Sequence, residues 1–359
     1  MAATLSLPII DLSSPHRLST PNSIRQACVE YGFFYLVNRG VDTEIVSKVF
    51  DQSGKFFSLP VQRKLDLARK EYRSYTPLYS ETLDPTSLSN GDPKETYYIG
   101  PIEDTSIAHL NQWPSEELLP NWRPTMESLY WKLMDLWPVY LLRTLFLHLF
   151  IVSLCALCGY MLKERMAEPE HSYRLMHGCW KKSAALIAMP LNLEEDYFEK
   201  IGALNKAAAF LRLLHYPVLS AVLLVGTGFS NRLSCGSDEQ ICGASPHSDY
   251  GMITLLMTEG VPGLQGLNSE HWRNDGEVNK LFIQVSIIQR VFSSVFESTL
   301  HRVMPTGKER YSVAFFFDPA SDCVVECFES CCSESSPPRF PPIRSGDYLN
   351  ERFRLTYGS

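Results

Sequence analysis

Apolar residues along this 359-residue chain recur with two periods, and those periods sort the sequence into strands and helices. Leu7-Pro-Ile-Ile-Asp11 is a short branched run opened by proline and ended by Asp11, and it reads as a strand. Ser23 to Tyr31 has helical spacing with Asn22 or Ser23 at the cap position, and Gly32 to Asn38 returns to a strand pattern. Val46 to Phe57 predicts a second helix with Phe50, Phe56 and Phe57 on its apolar side; Pro60 stops it, and Lys64 onward reads as charged and solvated. Pro120 to Met134 opens a long helix, with Lys182 to Leu191 as its continuation. Further strands are expected at Ala209 to Tyr216, Gly251 to Leu256, Leu281 to Val285 and Val313 to Phe317.

Two stretches interrupt this order. Leu145 to Leu162 is almost uninterrupted apolar sequence flanked by Arg143, Lys163 and Arg165, long enough to be a candidate membrane span. A membrane span, a buried helix and sequence foreign to the fold all fit it. A span here would put two halves that read as one compact domain on opposite sides of a bilayer. The membrane reading is therefore set aside, and residues 135–179 are taken as an insertion such as a translated intron. Residues 218–234, apolar and then rich in Gly and Ser, read as a second insertion.

Composition adds bounds. Hydrophobic residues at 45% and charged residues at 20% describe an ordinary globular chain, of one large or two modest domains. A net charge of −7 argues against nucleic acid as a partner, since phosphate binding needs a basic face. The first residues, MAATLSLPIIDLSS, have neither the basic region nor the apolar run of a secretory signal. The ten cysteines then read as reduced thiols of a cytoplasmic protein. Cys323, Cys327, Cys331 and Cys332 follow no usual zinc spacing and are read as ordinary thiols.

The chemistry concentrates in ASPHSDYGMITLL. His247 and Asp249 stand at i and i+2, a spacing that puts both on one face of an extended strand, and His301 is the candidate third partner. Two imidazoles and one carboxylate on one face of a metal leave the remaining positions open, the pattern of non-haem Fe(II) oxygenases. A zinc hydrolase could use the same three groups, but Arg310-Tyr-Ser312 would have no role in it. There a guanidinium and a hydroxyl share a strand face, which suits a carboxylate gripped from two sides.

With H-x-D, a distal His and R-x-S in this order, the chain resembles the plant-type Fe(II)- and 2-oxoglutarate-dependent dioxygenases, the family of flavonol synthase and isopenicillin N synthase. The opening PIIDL and YGFFYLVN and the carboxy-terminal PPIRSGDYLNERF resemble it too. The resemblance implies an α+β, mainly β fold: a double-stranded β-helix (jelly-roll) core, an α/β amino-terminal region and supporting helices. It divides the chain into residues 1–117, the helices of 118–204, the core at 205–321 and a tail at 322–359. It implies Fe(II) on His247, Asp249 and His301, with 2-oxoglutarate held by Arg310, Ser312 and Tyr216. O2 is the second co-substrate and ascorbate the reductant. The substrate would be a small organic metabolite that a monomeric enzyme hydroxylates or desaturates, with Tyr72, Tyr75, Tyr97 and Tyr98 near the substrate mouth. Leu214 where the family often has Asn, and the segment Ser286 to Phe296 in place of a Gly-Asp turn, depart from the pattern. They leave a catalytically impaired isoform with a disrupted barrel as the alternative.

Overall fold

The computed structural model describes residues 4–5, 7–11, 23, 26–27, 30–37, 41–83, 91–102, 104, 106–134, 200–203, 208–218, 242–268, 271–275, 281–284, 299–327, 334 and 337–357. The insertion read at 135–179 with its apolar stretch 145–162, the second insertion beyond Val218, and the departing segment 286–296 lie outside the described residues.

Two sheets form the body. The smaller orders its strands β1 (Thr4–Leu5), β10 (His271–Asp275), β9 (Leu264–Asn268), β12 (His301–Val303) and β7 (Ala244–His247). The larger orders β2 (Ile9–Asp11), β3 (Phe33–Val37), β11 (Leu281–Gln284), β8 (Ile253–Thr258), β13 (Arg310–Asp318), β6 (Ala208–Tyr216), β5 (Glu95–Ile99) and β4 (Ser74–Thr76). Among the described residues the pairings are antiparallel except β1 with β10 and β2 with β3. A short ribbon, β14 (Val324–Val325) with β15 (Ile343–Arg344), precedes the carboxy-terminal helix.

The larger sheet is buried on both sides, so its strands read as nearly continuous apolar runs. Side chains still alternate between faces, and residue parity tells which is which. Leu211, Leu213, Val313 and Phe315, with Tyr97, Ile99, Phe34 and Leu36, pack into the cluster that the helices cover. Leu214, Tyr216 and Ala314, with Phe33 and Tyr35, pack into a second cluster that includes Ala244, Leu264 and Val303 of the smaller sheet. On β6 and β13, even-numbered residues therefore face the interior of the sandwich. The nine-residue register from Arg310 opposite Tyr216 to Asp318 opposite Ala208 locks this assignment. A slip of one residue would reverse it.

The helices explain themselves by spacing. Helix α1 (Thr43–Phe57) buries Val49, Phe50, Ser53, Phe56 and Phe57, a set at helical intervals, while Glu44–Lys48 and Asp51–Lys55 pair at i, i+4 on the wet side. It begins three residues before the expected Val46. Helix α2 (Val61–Leu65) follows Pro60. Residues 122–134 form helix α3, whose Trp122, Met126, Leu129, Tyr130 and Leu133 are all at most 1% exposed. Tyr130 meets Phe315 edge-on at 5.4 Å, which seats α3 on the larger sheet. Helix α4 (Ser345–Tyr357) closes the described chain.

Lys64 corrects the sequence expectation: it is buried, because its ammonium reaches Glu95 Oε2 at 2.7 Å and the Phe57 carbonyl at 2.9 Å. A buried lysine needs such partners.

Candidate metal centre and cleft

His247 closes β7 and His301 opens β12, and antiparallel pairing sets them directly opposite one another. Their ring centroids are 4.2 Å apart. Asp249 lies beyond the end of β7, in the irregular segment before β8, so the expected strand-face geometry of His-x-Asp gives way to a bend in the chain that still brings the carboxylate to the two imidazoles. The apolar strand that follows begins correspondingly later, at Ile253. Asp249 Oδ1 stands 3.8 Å from His247 Nε2 and 3.6 Å from His301 Nε2. Among the described residues this trio is the group whose ligand atoms could hold a metal ion, all within 4.8 Å of one another.

The donor set fits a metal for a further reason. His247 Nδ1 lies 2.7 Å from the Ser245 carbonyl, and His301 Nδ1 lies 3.2 Å from the Thr299 carbonyl. A carbonyl only accepts, so each Nδ1 carries the proton and each Nε2 presents its lone pair toward Asp249. Burial, and then the neighbouring His301, hold the His247 imidazole well below its usual range. It is therefore neutral, the form that binds metal. Phe33 meets the His301 ring edge-on at 5.6 Å and fixes its plane.

Ser245 links this centre to a buried charge network. Its amide and hydroxyl donate to Asp92 Oδ1 at 3.1 and 2.6 Å. Lys94 bridges Asp92 at 2.5 Å and Glu81 at 3.2 Å, and Glu81 also pairs with Arg212 and accepts from Tyr357 Oη at 2.9 Å. The motif GDPKETYY thus supplies both anchor residues of the network and strand β5.

Arg310 and Ser312 are both buried at the head of β13, on its interior face. Tyr216 lies opposite Arg310 in the register, with the guanidinium 5.1 Å from its ring centroid. Arg310 and Tyr216 line one end of a pocket of about 340 Å³ together with Gly243, Val303 and Met304. All three expected 2-oxoglutarate contacts are thus neighbours on two paired strands.

A second cavity of about 460 Å³ opens beside His247 and Asp249, walled by Tyr98, Phe210, Phe316 and Phe353. Of the four tyrosines expected near a substrate mouth, Tyr98 lines it. Tyr72 stacks on Phe353 at 4.6 Å behind the wall, and Tyr75 and Tyr97 belong to the helix-covered core. Helix α4 supplies Leu349 and Phe353 and is tied down by Thr82 N donating to the Thr356 carbonyl at 2.9 Å and by a 2.7 Å bond between Tyr250 Oη and Thr356 Oγ1. Arg212 and Asp318 complete the lining. Burial pushes the Asp318 carboxyl up to about 7, with the Met252 amide opposing. Sequence reasoning missed Phe210, Arg212, Phe316 and Asp318. The signal was parity, because all four are even-numbered residues of β6 and β13.

Comparison with known proteins agrees with this construction. Residues 7–116 match the family model for the non-haem dioxygenase in morphine synthesis N-terminal, and residues 229–319 match that of the 2OG-Fe(II) oxygenase superfamily. A full-length Neurospora crassa protein solved in complex with alpha-KG superposes with a TM-score of 0.69 at 24% identity, covering 98% of this chain and 96% of that one. JOX2, solved in complex with 2OG, Fe and JA, does so with a TM-score of 0.69 at 23% identity, covering 98% of this chain and 86% of that one. Both show the jelly-roll fold. Kihadalactone A synthase LFS of Citrus sinensis is 30% identical over 365 residues, 97% of this chain and 92% of that protein. With that likeness running along nearly its whole length, the chain belongs to the 2OG-Fe(II) oxygenase superfamily and is a 2-oxoglutarate-dependent dioxygenase.

Proposed function

We propose that His247, Asp249 and His301 hold the iron(II) of this oxygenase, and that Arg310, Ser312 and Tyr216 receive the far carboxylate of 2-oxoglutarate. One observation carries the reading: both imidazoles spend Nδ1 on a backbone carbonyl and turn Nε2 toward one carboxylate oxygen. When bound, the iron supplies the redox centre at which O2 and 2-oxoglutarate react, giving succinate and CO2 while a substrate C–H bond is oxidised. The chain's own work is to orient and to exclude water. Cross-strand pairing of β7 with β12 fixes the spacing of the two imidazoles, and the single carboxylate offsets part of the metal charge. Arg310 can meet a carboxylate with two parallel N–H donors, and the Ser312 hydroxyl lies on the same strand face. The aromatic walls around the larger cavity keep the reacting substrate dry.

The substrate in this reading is a small organic metabolite of plant secondary metabolism, accommodated between Tyr98, Phe210, Phe316 and Phe353. The name of the Citrus relative and the JA in the JOX2 structure support that class. A cytoplasmic location belongs to the same reading, supported by the reduced thiol of Cys323. The reading of an impaired isoform is not favoured, since β12 pairs with β7 so that His301 stands opposite His247, and β13 pairs with β6 in continuous register.

The test is turnover of 2-oxoglutarate to succinate by the purified protein with Fe(II) and ascorbate, without added substrate. Slow succinate formation that disappears in His247→Ala is the expected result. No turnover, together with no iron-dependent binding of 2-oxoglutarate, would sink the assignment.

A further inference from the structure

The interior holds a carboxyl that neither the iron nor the 2-oxoglutarate contacts use. Asp318 ends β13 on the interior face, is 3% exposed and lines the cavity beside Asp249. No described residue donates a hydrogen bond to its Oδ1. That oxygen lies against Gly251, where an added Cβ would come within 2.4 Å, so glycine there keeps the space in which the carboxyl stands. Of the other charged wall residues, Asp249 belongs to the candidate metal trio and Arg212 spends one terminal nitrogen on Glu81. An acceptor buried without a partner keeps the full cost of its lost hydration. A fold that retains one on the wall of an aromatic-lined cavity keeps it for a ligand.

Resting on the reading of this cavity as the substrate site, we propose that Asp318 is a specificity-determining residue that accepts a hydrogen bond from a neutral hydroxyl of an otherwise apolar, ring-bearing substrate. The surrounding charges select that class. A carboxylate substrate would be set beside the two carboxyls of Asp318 and Asp249, with the Arg212 charge already shared with Glu81. An ammonium would be set beside the charge of the metal. A neutral donor meets neither penalty, and Tyr98, Phe210, Phe316 and Phe353 offer ring faces and edges for its apolar body. Anchored at Asp318, the substrate would lie along the wall that leads to His247 and Asp249, which fixes the C–H bond presented for oxidation.

The experiment uses the full chain with Fe(II) and 2-oxoglutarate under anaerobic conditions and measures binding of 2-naphthol, naphthalene and 2-naphthoate by calorimetry. Wild type is expected to bind 2-naphthol at least about tenfold more tightly than either of the others. Asp318→Leu should erase that preference, and Asp318→Asn, which keeps an acceptor, should retain part of it. Asp318→Leu should also melt higher than wild type without ligand, since it removes a buried carboxyl oxygen that no described residue answers; a merely structural aspartate would melt lower. Equal binding of 2-naphthol and naphthalene, no binding of either, or a preference that survives Asp318→Leu would overturn the proposal. Binding of 2-oxoglutarate, followed in the same samples, reports separately on the metal site. Its loss with the 2-naphthol preference intact would overturn the cofactor assignment and leave Asp318 standing.

Discussion

On the helix-covered face of the larger sheet, Glu95 accepts hydrogen bonds from Lys64 at 2.7 Å, Tyr75 at 2.5 Å and His215 at 2.8 Å. The opposite face of the same sheet contributes Arg310 to one cavity and Asp318 to another, the second lined also by His247 and Asp249 of a trio of two imidazoles and a carboxylate. In the first cluster one carboxylate is met by three donors, with the His215 ring stacked on Tyr311 at 4.7 Å. The second converges acceptors on a common point, His247 and His301 Nε2 with Asp249 Oδ1, and offers them no proton between them. Acceptors brought together in this way repel unless a cation joins them. Buried polar groups therefore serve two ends here, and the balance of donors to acceptors distinguishes them. Where the two match, the cluster holds the fold; where acceptors are in excess, it awaits a ligand.

Substitution at Glu95 should break this comparison most visibly. Glu95→Ala leaves the Lys64 ammonium buried without its carboxylate, and losing one partner of a buried pair costs about 3–5 kcal/mol. Iron-dependent binding of 2-oxoglutarate, measured below the lowered melting temperature, should be retained. His301→Ala should do the reverse: iron binding is lost while the melting temperature of the metal-free protein changes little. Denaturant unfolding and iron titration of the two variants check both halves. Equal destabilisation by both would show that the trio also holds the fold.

The two clusters were not equally legible in the sequence. The metal trio could be read because His247 and Asp249 are two residues apart and His301 opens a recognisable strand segment, as do Arg310 and Ser312. Such local signals survive without knowledge of the fold. Lys64 was misread as solvated because its partner Glu95 is 31 residues away, and Arg212 was overlooked because Glu81 is 131 residues away. Pairings of that range are made by sheet topology, which no local pattern states. Parity could have gone further. Once Arg310 and Ser312 are assigned inward, strand alternation carries Phe316 and Asp318 inward with them. Asp249 stands with its two histidines as expected, but period-2 reasoning assumed a strand where the chain bends.

Acid should act on the interior network with a defined sign. Burial works against the Glu81 carboxylate, yet the Arg212 and Lys94 charges outweigh it and hold it at about 2, below the ordinary value of 4.5. A carboxylate lowered on folding contributes its full stability above the unfolded value and loses it as the pH falls through the folded one. Urea midpoints of the metal-free protein should therefore fall between about pH 4.5 and about pH 2. The network also anchors helix α4 through Tyr357. Proteolytic release of that helix should accompany the fall, and a flat profile across this window would show that Glu81 is not held by its partners.

The smallest effect expected is the most informative about how the two kinds of cluster communicate. Ser245 touches both: its hydroxyl donates to Asp92 at 2.6 Å, and its carbonyl lies 2.7 Å from His247 Nδ1. Ser245→Ala removes the hydroxyl alone, leaving the amide bond to Asp92 at 3.1 Å and the carbonyl in place. One neutral-to-charged hydrogen bond is lost, a stability cost of about 1.5–3 kcal/mol. Groups that orient a metal ligand typically govern affinity by about 10–100-fold. Ser245 acts through a backbone carbonyl that the substitution keeps, so the loss of iron affinity should stay below about tenfold. An iron dissociation constant that rises severalfold in Ser245→Ala, with an unchanged melting temperature for the Lys48→Ala control on the exposed face of α1, would show that the closed network positions His247. An unchanged iron affinity beside the expected loss of stability would show instead that the β7–β12 pairing alone sets the imidazole, and that the network beneath it serves the fold.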